Sequence, residues 1–168
     1  EQVDAGMQEL AQRGGGRIDV LVANAGAGGP NACSTDGPDR WHEIMRPNLD
    51  GVFYCARAAL RAMPDGGRIL VMSSVLGKFG VPGYTAYCAS KHGVIGFVKA
   101  LALEVAPRQI TVNALCPGWV ETDLARTGMQ ALADLQGIDF DSARRQALAA
   151  VPLGRIIEPA EIGVVASF

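Results

Sequence analysis

Short apolar runs alternate with longer amphipathic segments along most of the chain. Three of these runs, at 18–23, 68–72 and 110–115, are too short for helices and contain few polar positions. A strand that is apolar on both faces is typical of a parallel sheet with helices on each side, so the runs are predicted as parallel β-strands. Apolar residues recur at helical spacing over 38–63 and 87–106, which predicts a helix after each of the first two strands.

The same spacing predicts helices at the two ends of the chain, over 1–13 and 159–168. The first of them would end at a run of three glycines. Thr35 or Asp36 would cap the helix that begins near residue 38.

Alternating strands and helices with short connections predict one α/β domain over residues 1–168. The expected architecture is a Rossmann-like, doubly wound parallel sheet in a three-layer α/β/α sandwich. In such a sheet the ligand lies beyond the carboxyl ends of the strands. Polar or Gly/Pro-containing segments follow each strand here: Asn24-Ala25-Gly26, Ser73-Ser74 and Cys116-Pro117-Gly118.

Residues 121–150 differ from the rest of the chain. They are helical in tendency but more polar, and Gly128 and Gly137 interrupt the pattern. This composition is typical of a mobile cover, so the segment is predicted as a lid within the domain that closes over a bound substrate.

Composition and charge narrow the classes of function. With 49% hydrophobic residues, 19% charged residues and a net charge of -2, the chain offers no basic surface for nucleic acid or membrane. No apolar run approaches the roughly 18 residues of a transmembrane helix, and residues 1–4 are too acidic for a secretion signal. Four separated cysteines and two histidines suggest neither a disulfide framework nor a metal site. We expect a reduced, cytoplasmic, metal-free protein.

Tyr87 and Lys91 are four residues apart on the helix predicted over 87–106, so their polar groups point toward one place. A free tyrosine has a pKa of about 10 and exchanges protons poorly at neutral pH. A nearby cation favours the phenolate and lowers that pKa, as general acid–base catalysis requires. By itself this spacing is common, and it would equally suit an exposed helix face.

Several motifs together resemble the short-chain dehydrogenase/reductase family. From about residue 15 to the last residue, they follow the order of that family, and Ser74 precedes Tyr87 by a separation common there. Within the family the chain is most similar to ketoacyl-carrier-protein reductases, polyketide ketoreductases and related hydroxy-acid or steroid dehydrogenases. The motifs are Asn24-Ala25-Gly26, Asn48, Ser74, Tyr87, Lys91 and Pro117-Gly118.

The resemblance implies four catalytic residues. Tyr87 would exchange a proton with the substrate oxygen during hydride transfer, and Ser74 would hydrogen-bond the same oxygen. Lys91 would lower the pKa of Tyr87 and bind the nicotinamide ribose. Asn48 would hold, through its backbone, a water that relays protons to Lys91.

The resemblance also implies a nicotinamide cofactor, NAD or NADP, and a small carbonyl or alcohol substrate, either free or linked to a carrier or coenzyme A. The cofactor would contact residues at the carboxyl ends of all three strands and on the helix of Tyr87. These are Asn24, Ala25, Gly26, Tyr87, Lys91, Pro117, Gly118, Val120 and Thr122. The walls of the substrate pocket would include Ser74, Val81, Tyr84, Trp119 and Met129, with Phe79 adding apolar surface.

Some interpretations stay open. Asn24-Ala25-Gly26 could be a plain strand-ending turn, and Ser73 could replace Ser74 as the functional serine. His92 is expected to pack or face solvent rather than to act in catalysis. Arg144 and Arg145 are expected on a solvated helix face, with a contact to carrier or coenzyme A phosphates as the alternative.

Two features depart from the family pattern. Pro47 directly precedes Asn48 inside a helix, where proline removes a backbone donor and causes a bend. The glycine-rich Thr-Gly-x-x-x-Gly-x-Gly turn that receives the pyrophosphate is absent from the 168 residues. The resemblance then equates the three predicted strands with strands 4–6 of the family fold, so we expect a piece of a longer natural chain.

An apolar strand at 18–23 supports this expectation, because it would otherwise form a bare sheet edge. The leading hypothesis is an NAD(P)-dependent oxidoreductase that interconverts a secondary alcohol and a ketone, such as a 3-oxoacyl or cyclic polyketide-like carbonyl. The alternative is a non-catalytic truncated fragment that acts as a scaffold or oligomerisation module. Small and apolar residues on more than one face of the helices at 38–63 and 87–106 predict that these helices need a partner besides the sheet. The resemblance implies that this partner is the same helices of a second subunit, in a homodimer or homotetramer.

Overall fold

A computed structural model describes residues 2–31, 33–34 and 39–167 and contains a three-stranded parallel sheet. The strands are β1 (Val20–Ala23), β2 (Arg68–Met72) and β3 (Thr111–Leu115), in the order β1-β2-β3. Val20 pairs with Arg68 at the start of β1, and Arg68 pairs with Thr111. The predicted parallel α/β arrangement is confirmed.

Seven α-helices are present in the described part of the chain. They are α1 (Gln2–Arg13), α2 (Trp41–Met45), α3 (Gly51–Leu60), α4 (Thr85–Val105), α5 (Asp123–Gln136), α6 (Phe140–Ala149) and α7 (Pro159–Ser167). The strand predicted at 18–23 begins two residues later than expected. The reason is that the Ile18 N–H donates to the carbonyl of Ala62 and so lies outside the sheet.

The predicted helix over 38–63 is divided into α2 and α3 by a π-helical turn, Arg46–Asp50. Within this turn the N–H of Gly51 donates to the carbonyl of Arg46, five residues earlier. π turns are a recognised cause of helix distortion. The irregularity predicted at Pro47 therefore takes the form of a π turn. The predicted caps, Thr35 and Asp36, lie outside the described residues.

The hydrophobic core lies between one face of the sheet and helices α3 and α4. Leu21, Ile69 and Val112 point toward it from the three strands, because alternate side chains of a strand point to the same face. Val52, Ala56 and Ala59 of α3 and Val94, Val98 and Leu101 of α4 complete it. Through this packing the core fixes the start of α4 against the carboxyl ends of the strands.

The opposite face of the sheet is much more open at β1. Val20 and Val22 are 58% and 51% exposed, and β1 pairs with one neighbouring strand in the described chain. In α7 none of the described residues is buried. The part of the chain that the structure describes thus has a helical layer packed on one face of the sheet, as part of the predicted three-layer architecture.

Segment 121–150 forms two helices, α5 and α6, that pack on each other. Met129, Ala133 and Ala143 are buried between or beside them. Gly137 ends α5 in the left-handed conformation, with φ 64°. Gly128, however, lies inside α5 and does not interrupt it, so the interruption predicted at that position is wrong.

Gly77, in the 3₁₀ turn between β2 and α4, brings the backbone of these two elements close together. A Cβ atom at this position would lie 2.7 Å from the carbonyl oxygen of Lys91 and 2.7 Å from Oγ of Ser73. Both contacts are shorter than real Cβ atoms make, and one involves the backbone. Only a residue without a side chain fits here.

We therefore expect Gly77→Ala to lower the free energy of unfolding by about 1–3 kcal/mol, because backbone or buried side chains must move. Gly80→Ala is the matched control, since a Cβ at Gly80 would meet nothing within 4 Å. Urea denaturation of the three proteins measures the difference. Equal midpoints for the two variants would contradict this account of Gly77.

Candidate active site

The polar segments predicted to form the site meet at one edge of the sheet. Asn24 follows β1, Ser73 and Ser74 follow β2, and Cys116 follows β3. Because the strands are parallel and paired in register, their carboxyl ends lie side by side. Helix α4 begins beside this edge and carries Tyr87 into it.

Lys91 is buried on α4, and its ammonium group is held by the backbone of β2. Nζ donates a hydrogen bond of 2.8 Å to the carbonyl of Met72, the last residue of that strand. The same atom lies 5.6 Å from the centroid of the Tyr87 ring, within cation–π range. Burial lowers the pKa of Lys91 from 10.5 to about 8, with an opposing contribution from Cys116. The ammonium is therefore mainly charged at pH 7.

The electrostatics of Tyr87 differ from the sequence-based expectation. Burial raises the pKa of its hydroxyl above 10, while a side-chain hydrogen bond with Ser74 acts in the opposite direction. Lys91 lies over the ring and donates to Met72, so the lowering of the tyrosine pKa expected from it is not seen in this chain. Tyr87 consequently carries its proton at neutral pH.

The two neighbouring serines after β2 have different partners. Ser73 Oγ donates 3.0 Å to the carbonyl of Lys91 and thereby ties β2 to α4. Ser74 Oγ accepts from the N–H of Leu76 at 3.1 Å and caps the 3₁₀ turn, which leaves its own hydrogen free to donate. Since Ser74 is also the serine that reaches Tyr87, the geometry favours it over Ser73 as the functional serine.

Asn48 lies in the π turn and is 1% exposed, and its amide bridges two parts of the site. Its Oδ1 accepts from the N–H of Ala27 at 2.7 Å, and its Nδ2 donates to the carbonyl of Ala27 at 2.9 Å. Nδ2 also donates to Oγ of Ser90 at 3.0 Å. The side chain is thus fully used in structure, which leaves only its backbone for the predicted water.

Ser90 continues this connection to Tyr87 and was not among the predicted site residues. Its hydroxyl is completely buried and donates 2.8 Å to the carbonyl of Tyr87. A serine inside a helix commonly bonds back to a carbonyl three or four residues earlier, so its place after Tyr87 was a usable signal. The partner Ala27 carried no such signal, because it contributes only backbone atoms.

The loop after β1 passes directly beside Lys91 at Gly26. A Cβ at Gly26 would lie 2.8 Å from Oδ1 of Asn48 and 3.7 Å from Nζ of Lys91. Asn24, Ala25 and Gly26 are themselves exposed, so their backbone is accessible from outside. The structure thus places Gly26 of this segment beside Lys91.

The segment after β3 connects the site to helix α5. The carbonyl of Pro117 accepts from the N–H of Val75, which fixes it against β2, and Gly118 is exposed. Val120 forms an isolated parallel bridge with Ile157. Thr122 caps α5, since its Oγ1 accepts from Ala125 N and donates to the carbonyl of Val120. The four predicted cofactor contacts here follow one another along an ordered stretch.

The predicted pocket residues do not all lie together. A Cβ at Gly128 would lie 3.4 Å from the Trp119 ring and 4.0 Å from the Tyr84 hydroxyl, so these two aromatic side chains lie against α5. Val81 and Phe79 are exposed. Met129 instead lines a separate cavity of 270 Å³ between α5 and α6, with Phe140. Successive side chains of a helix point about 100° apart, so Gly128 and Met129 cannot both face Trp119.

Three further residues have local partners. The exposed ring of His92 lies 2.9 Å from the carbonyl of Cys88 through Nδ1, as expected for a residue outside catalysis. Arg144 lies 3.7 Å from Glu121, and Arg145 donates to Ser142. Both arginines are exposed on α6.

Searches of the described residues for other kinds of site give negative results. No helix in 2–31 or 39–167 has the length and apolar character to cross a membrane. The same residues contain no group of three or more His, Cys, Asp or Glu side chains able to hold a metal ion. All four cysteines are free thiols.

Several known reductases are similar to this chain in sequence. A family model described as Enoyl-(Acyl carrier protein) reductase matches residues 1–168. The chain is 40% identical to a putative ketoacyl reductase of Streptomyces coelicolor, over 91% of this chain and 60% of that protein. It is 39% identical to the 3-oxoacyl-[acyl-carrier-protein] reductase of Vibrio cholerae, over 100% of this chain and 65% of that protein.

A solved structure agrees with these relatives. The structure of a variant of actinorhodin polyketide ketoreductase with NADPH superposes with a TM-score of 0.89 at 37% identity. The superposed region covers 98% of this chain and 64% of the ketoreductase. The chain thus spans less than two thirds of the length of these three proteins. The matches in sequence agree with the parallel sheet and with the order of the site residues. The chain belongs to the short-chain dehydrogenase/reductase family.

Proposed function

We propose that the intact natural protein is an NAD- or NADP-dependent oxidoreductase that interconverts a ketone and a secondary alcohol. The observation that carries this proposal is the convergence of Ser74, Tyr87 and Lys91 at the carboxyl edge of the sheet, with Asn48 behind them. The relatives named as ketoacyl reductases support a 3-oxoacyl or cyclic, polyketide-like carbonyl as the substrate. Such a substrate could be carrier- or coenzyme-A-linked.

The residues near Lys91 fit a nicotinamide cofactor. Gly26 has no side chain at the point where its Cβ would approach Asn48 and Lys91, so a ligand can approach the exposed backbone of 24–26 closely. Lys91 would hold the ribose hydroxyls, and Pro117, Gly118, Val120 and Thr122 would contact the nicotinamide end. When bound, the cofactor supplies or accepts the hydride.

The chain itself handles the proton and the developing charge. In the reduction direction, Tyr87 Oη gives its proton to the carbonyl oxygen of the substrate as the carbon gains hydride. Ser74 donates its free hydroxyl hydrogen to the same oxygen, where negative charge develops. The tyrosinate that remains would regain its proton through Lys91 and the water proposed at the backbone of Asn48. Because burial raises the pKa of Tyr87, its hydroxyl carries the proton that ketone reduction requires.

Helices α5 and α6 are proposed as the cover of this site. Thr122 connects the predicted cofactor contacts to the first turn of α5, and Trp119 and Tyr84 meet the helix at Gly128. Lying over the substrate, the pair of helices would exclude water from hydride transfer.

A non-catalytic scaffold or oligomerisation module is the second candidate function. The observation that favours it is exposed apolar surface away from the site, at Phe53 and Tyr54 of α3. A scaffold role predicts that the intact protein reduces no ketone and that Tyr87→Phe leaves its assembly unchanged. The enzyme and the scaffold are therefore separated by variants of the proton donor.

Replacing the proton donor tests the proposed chemistry. In the intact protein, Tyr87→Phe should lower kcat for ketone reduction by about 10²–10⁴-fold, because general acid catalysis is lost, while cofactor affinity is retained. Lys91→Ala should weaken both turnover and cofactor binding. Steady-state kinetics and nucleotide fluorescence titration measure the two quantities.

The matched controls are Tyr54→Phe on α3 and Lys99→Ala, an exposed lysine of α4. Both should retain activity. Unchanged turnover in Tyr87→Phe would remove this residue from the mechanism.

The buried ammonium of Lys91 also predicts a pH dependence of stability. Its pKa is lowered to about 8 from 10.5, so below about pH 8 the folded chain bears the full cost of burying the charge. Between about pH 8 and 10.5 the unfolded chain binds a proton that the folded chain has released, so the free energy of unfolding rises with pH.

In urea denaturation between about pH 8 and 10.5, the free energy of unfolding of wild type should rise by on the order of 1–3 kcal/mol more than that of Lys91→Met. Lys99→Met should retain this rise, and comparison with wild type cancels the other titrating groups. Parallel pH profiles for wild type and Lys91→Met would show that the ammonium is not buried as described.

We also propose that α3 and α4 join copies of the chain in a homodimer or homotetramer. Phe53 and Tyr54 form an edge-to-face pair, with ring centroids 5.3 Å apart, and Phe97 of α4 lies 6.3 Å from Phe53. Arg57 lies 5.3 Å from both rings of the pair. Exposed aromatic and arginine side chains in one patch are characteristic of protein interfaces.

Phe53→Lys should therefore shift the intact protein toward monomer in sedimentation at micromolar concentration, because it places a charge in the proposed interface. Leu135→Lys, on an exposed position of α5, is the control and should leave the assembly unchanged. A wild-type protein that is strictly monomeric would refute this assembly.

A further inference from the structure

The first turn of α5 approaches the loop after β1 at Gly28. A Cβ at Gly28 would lie 2.9 Å from Cδ1 of Leu124 and 3.6 Å from Cε2 of Tyr87. Cε2 is bonded to the ring carbon that bears the tyrosine hydroxyl. Leu124 therefore occupies the space that a side chain at Gly28 would need, beside the reacting edge of Tyr87.

The position of Leu124 is fixed by the backbone around it. Thr122 caps the helix two residues earlier, and the N–H of Glu121 donates 2.9 Å to the carbonyl of Ile157. In return, the N–H of Ile157 donates 3.0 Å to the carbonyl of Trp119. The start of α5 is thus held on both sides.

Core packing does not account for the direction of this side chain. The buried face of α5 consists of Ala125, Met129 and Ala133, whereas Leu124 is 49% exposed. An apolar side chain that is half in solvent, next to a buried tyrosine hydroxyl, provides surface that a bound apolar group would cover.

We propose that Leu124 limits the size of the substituent that the substrate carries on the Gly28 side of its carbonyl carbon. The inference rests on the proposed function and makes it more specific. Ketones with a small group on this side fit, whereas branched or aromatic groups there meet Leu124. This role of Leu124 also requires glycine at position 28, since a side chain there would displace Leu124.

Shortening Leu124 tests the size limit. In the intact protein, kcat/KM is compared for two ketones that differ only in a methyl or an isopropyl group on one side of the carbonyl. Leu124→Ala should raise the isopropyl-to-methyl ratio by about 10-fold or more, as expected for added space in an apolar pocket. Leu135→Ala, 81% exposed on the same helix, should leave the ratio unchanged.

The contact itself is tested without any measurement of activity. Gly28→Ala should lower the urea midpoint of the chain by a small amount, because the added methyl meets Cδ1 of Leu124 and this half-exposed side chain must turn aside. Adding Leu124→Ala to Gly28→Ala should recover most of that loss, so the two changes are non-additive. Additive effects would overturn the contact and the proposal with it.

The two experiments separate this proposal from the proposed function. Activity in wild type with an unchanged substrate ratio in Leu124→Ala would overturn the role of Leu124 and leave the oxidoreductase intact. Non-additive unfolding in a protein that reduces neither ketone with either nucleotide would overturn the oxidoreductase and, with it, the role in substrate selection. A raised ratio together with non-additivity supports both.

Discussion

The buried amide of Asn48 is the constraint on which the rest of the site depends. A buried side-chain amide must find partners, and this one finds them in the peptide of Ala27 and the hydroxyl of Ser90. The first pair of bonds holds the loop after β1, and so sets Gly26 beside Lys91. The second bond reaches the backbone of Tyr87 through Ser90. One residue in a π turn thereby positions both the loop proposed to face the cofactor and the helix that carries Tyr87.

Near Asn48, a backbone carbonyl rather than an acidic side chain binds the ammonium group of Lys91. Lys91 donates to Met72, and its own carbonyl accepts from Ser73, so the lysine is fixed at both ends to β2. A neutral partner does not cancel the ammonium charge. The cation therefore remains available to a tyrosinate or to ribose hydroxyls, while its pKa falls to about 8 because of burial. Gly77 makes this arrangement possible by letting β2 and α4 approach.

Much of the fold was predictable because strands and helices leave a periodic pattern of apolar residues. The strand at 68–72 was predicted at its observed bounds, and the placement of Tyr87 and Lys91 on one helix face followed from helical spacing. Parallel topology placed Ser74 at the carboxyl edge of the sheet, and its meeting with Tyr87 was implied by the family resemblance. The spacing of residues does not reveal burial, so the predicted lowering of the Tyr87 pKa was wrong. Side-chain direction within a helix also depends on packing, which is why Met129 lies inside the lid. The role of Gly28 could not be predicted from the sequence, because it depends on the position of Leu124 in the structure.

Hydride transfer from a labelled nucleotide is the direct measure of the proposed chemistry. The intact protein is incubated with NADH or NADPH that carries two deuterium atoms on C4 of the nicotinamide, together with 3-oxoacyl thioesters and cyclic ketones. The account predicts a secondary alcohol that carries deuterium on its carbinol carbon, detected by mass spectrometry, with one or more of these ketones. Absence of any labelled alcohol from the folded protein, with both nucleotides and all of these ketones, would contradict it.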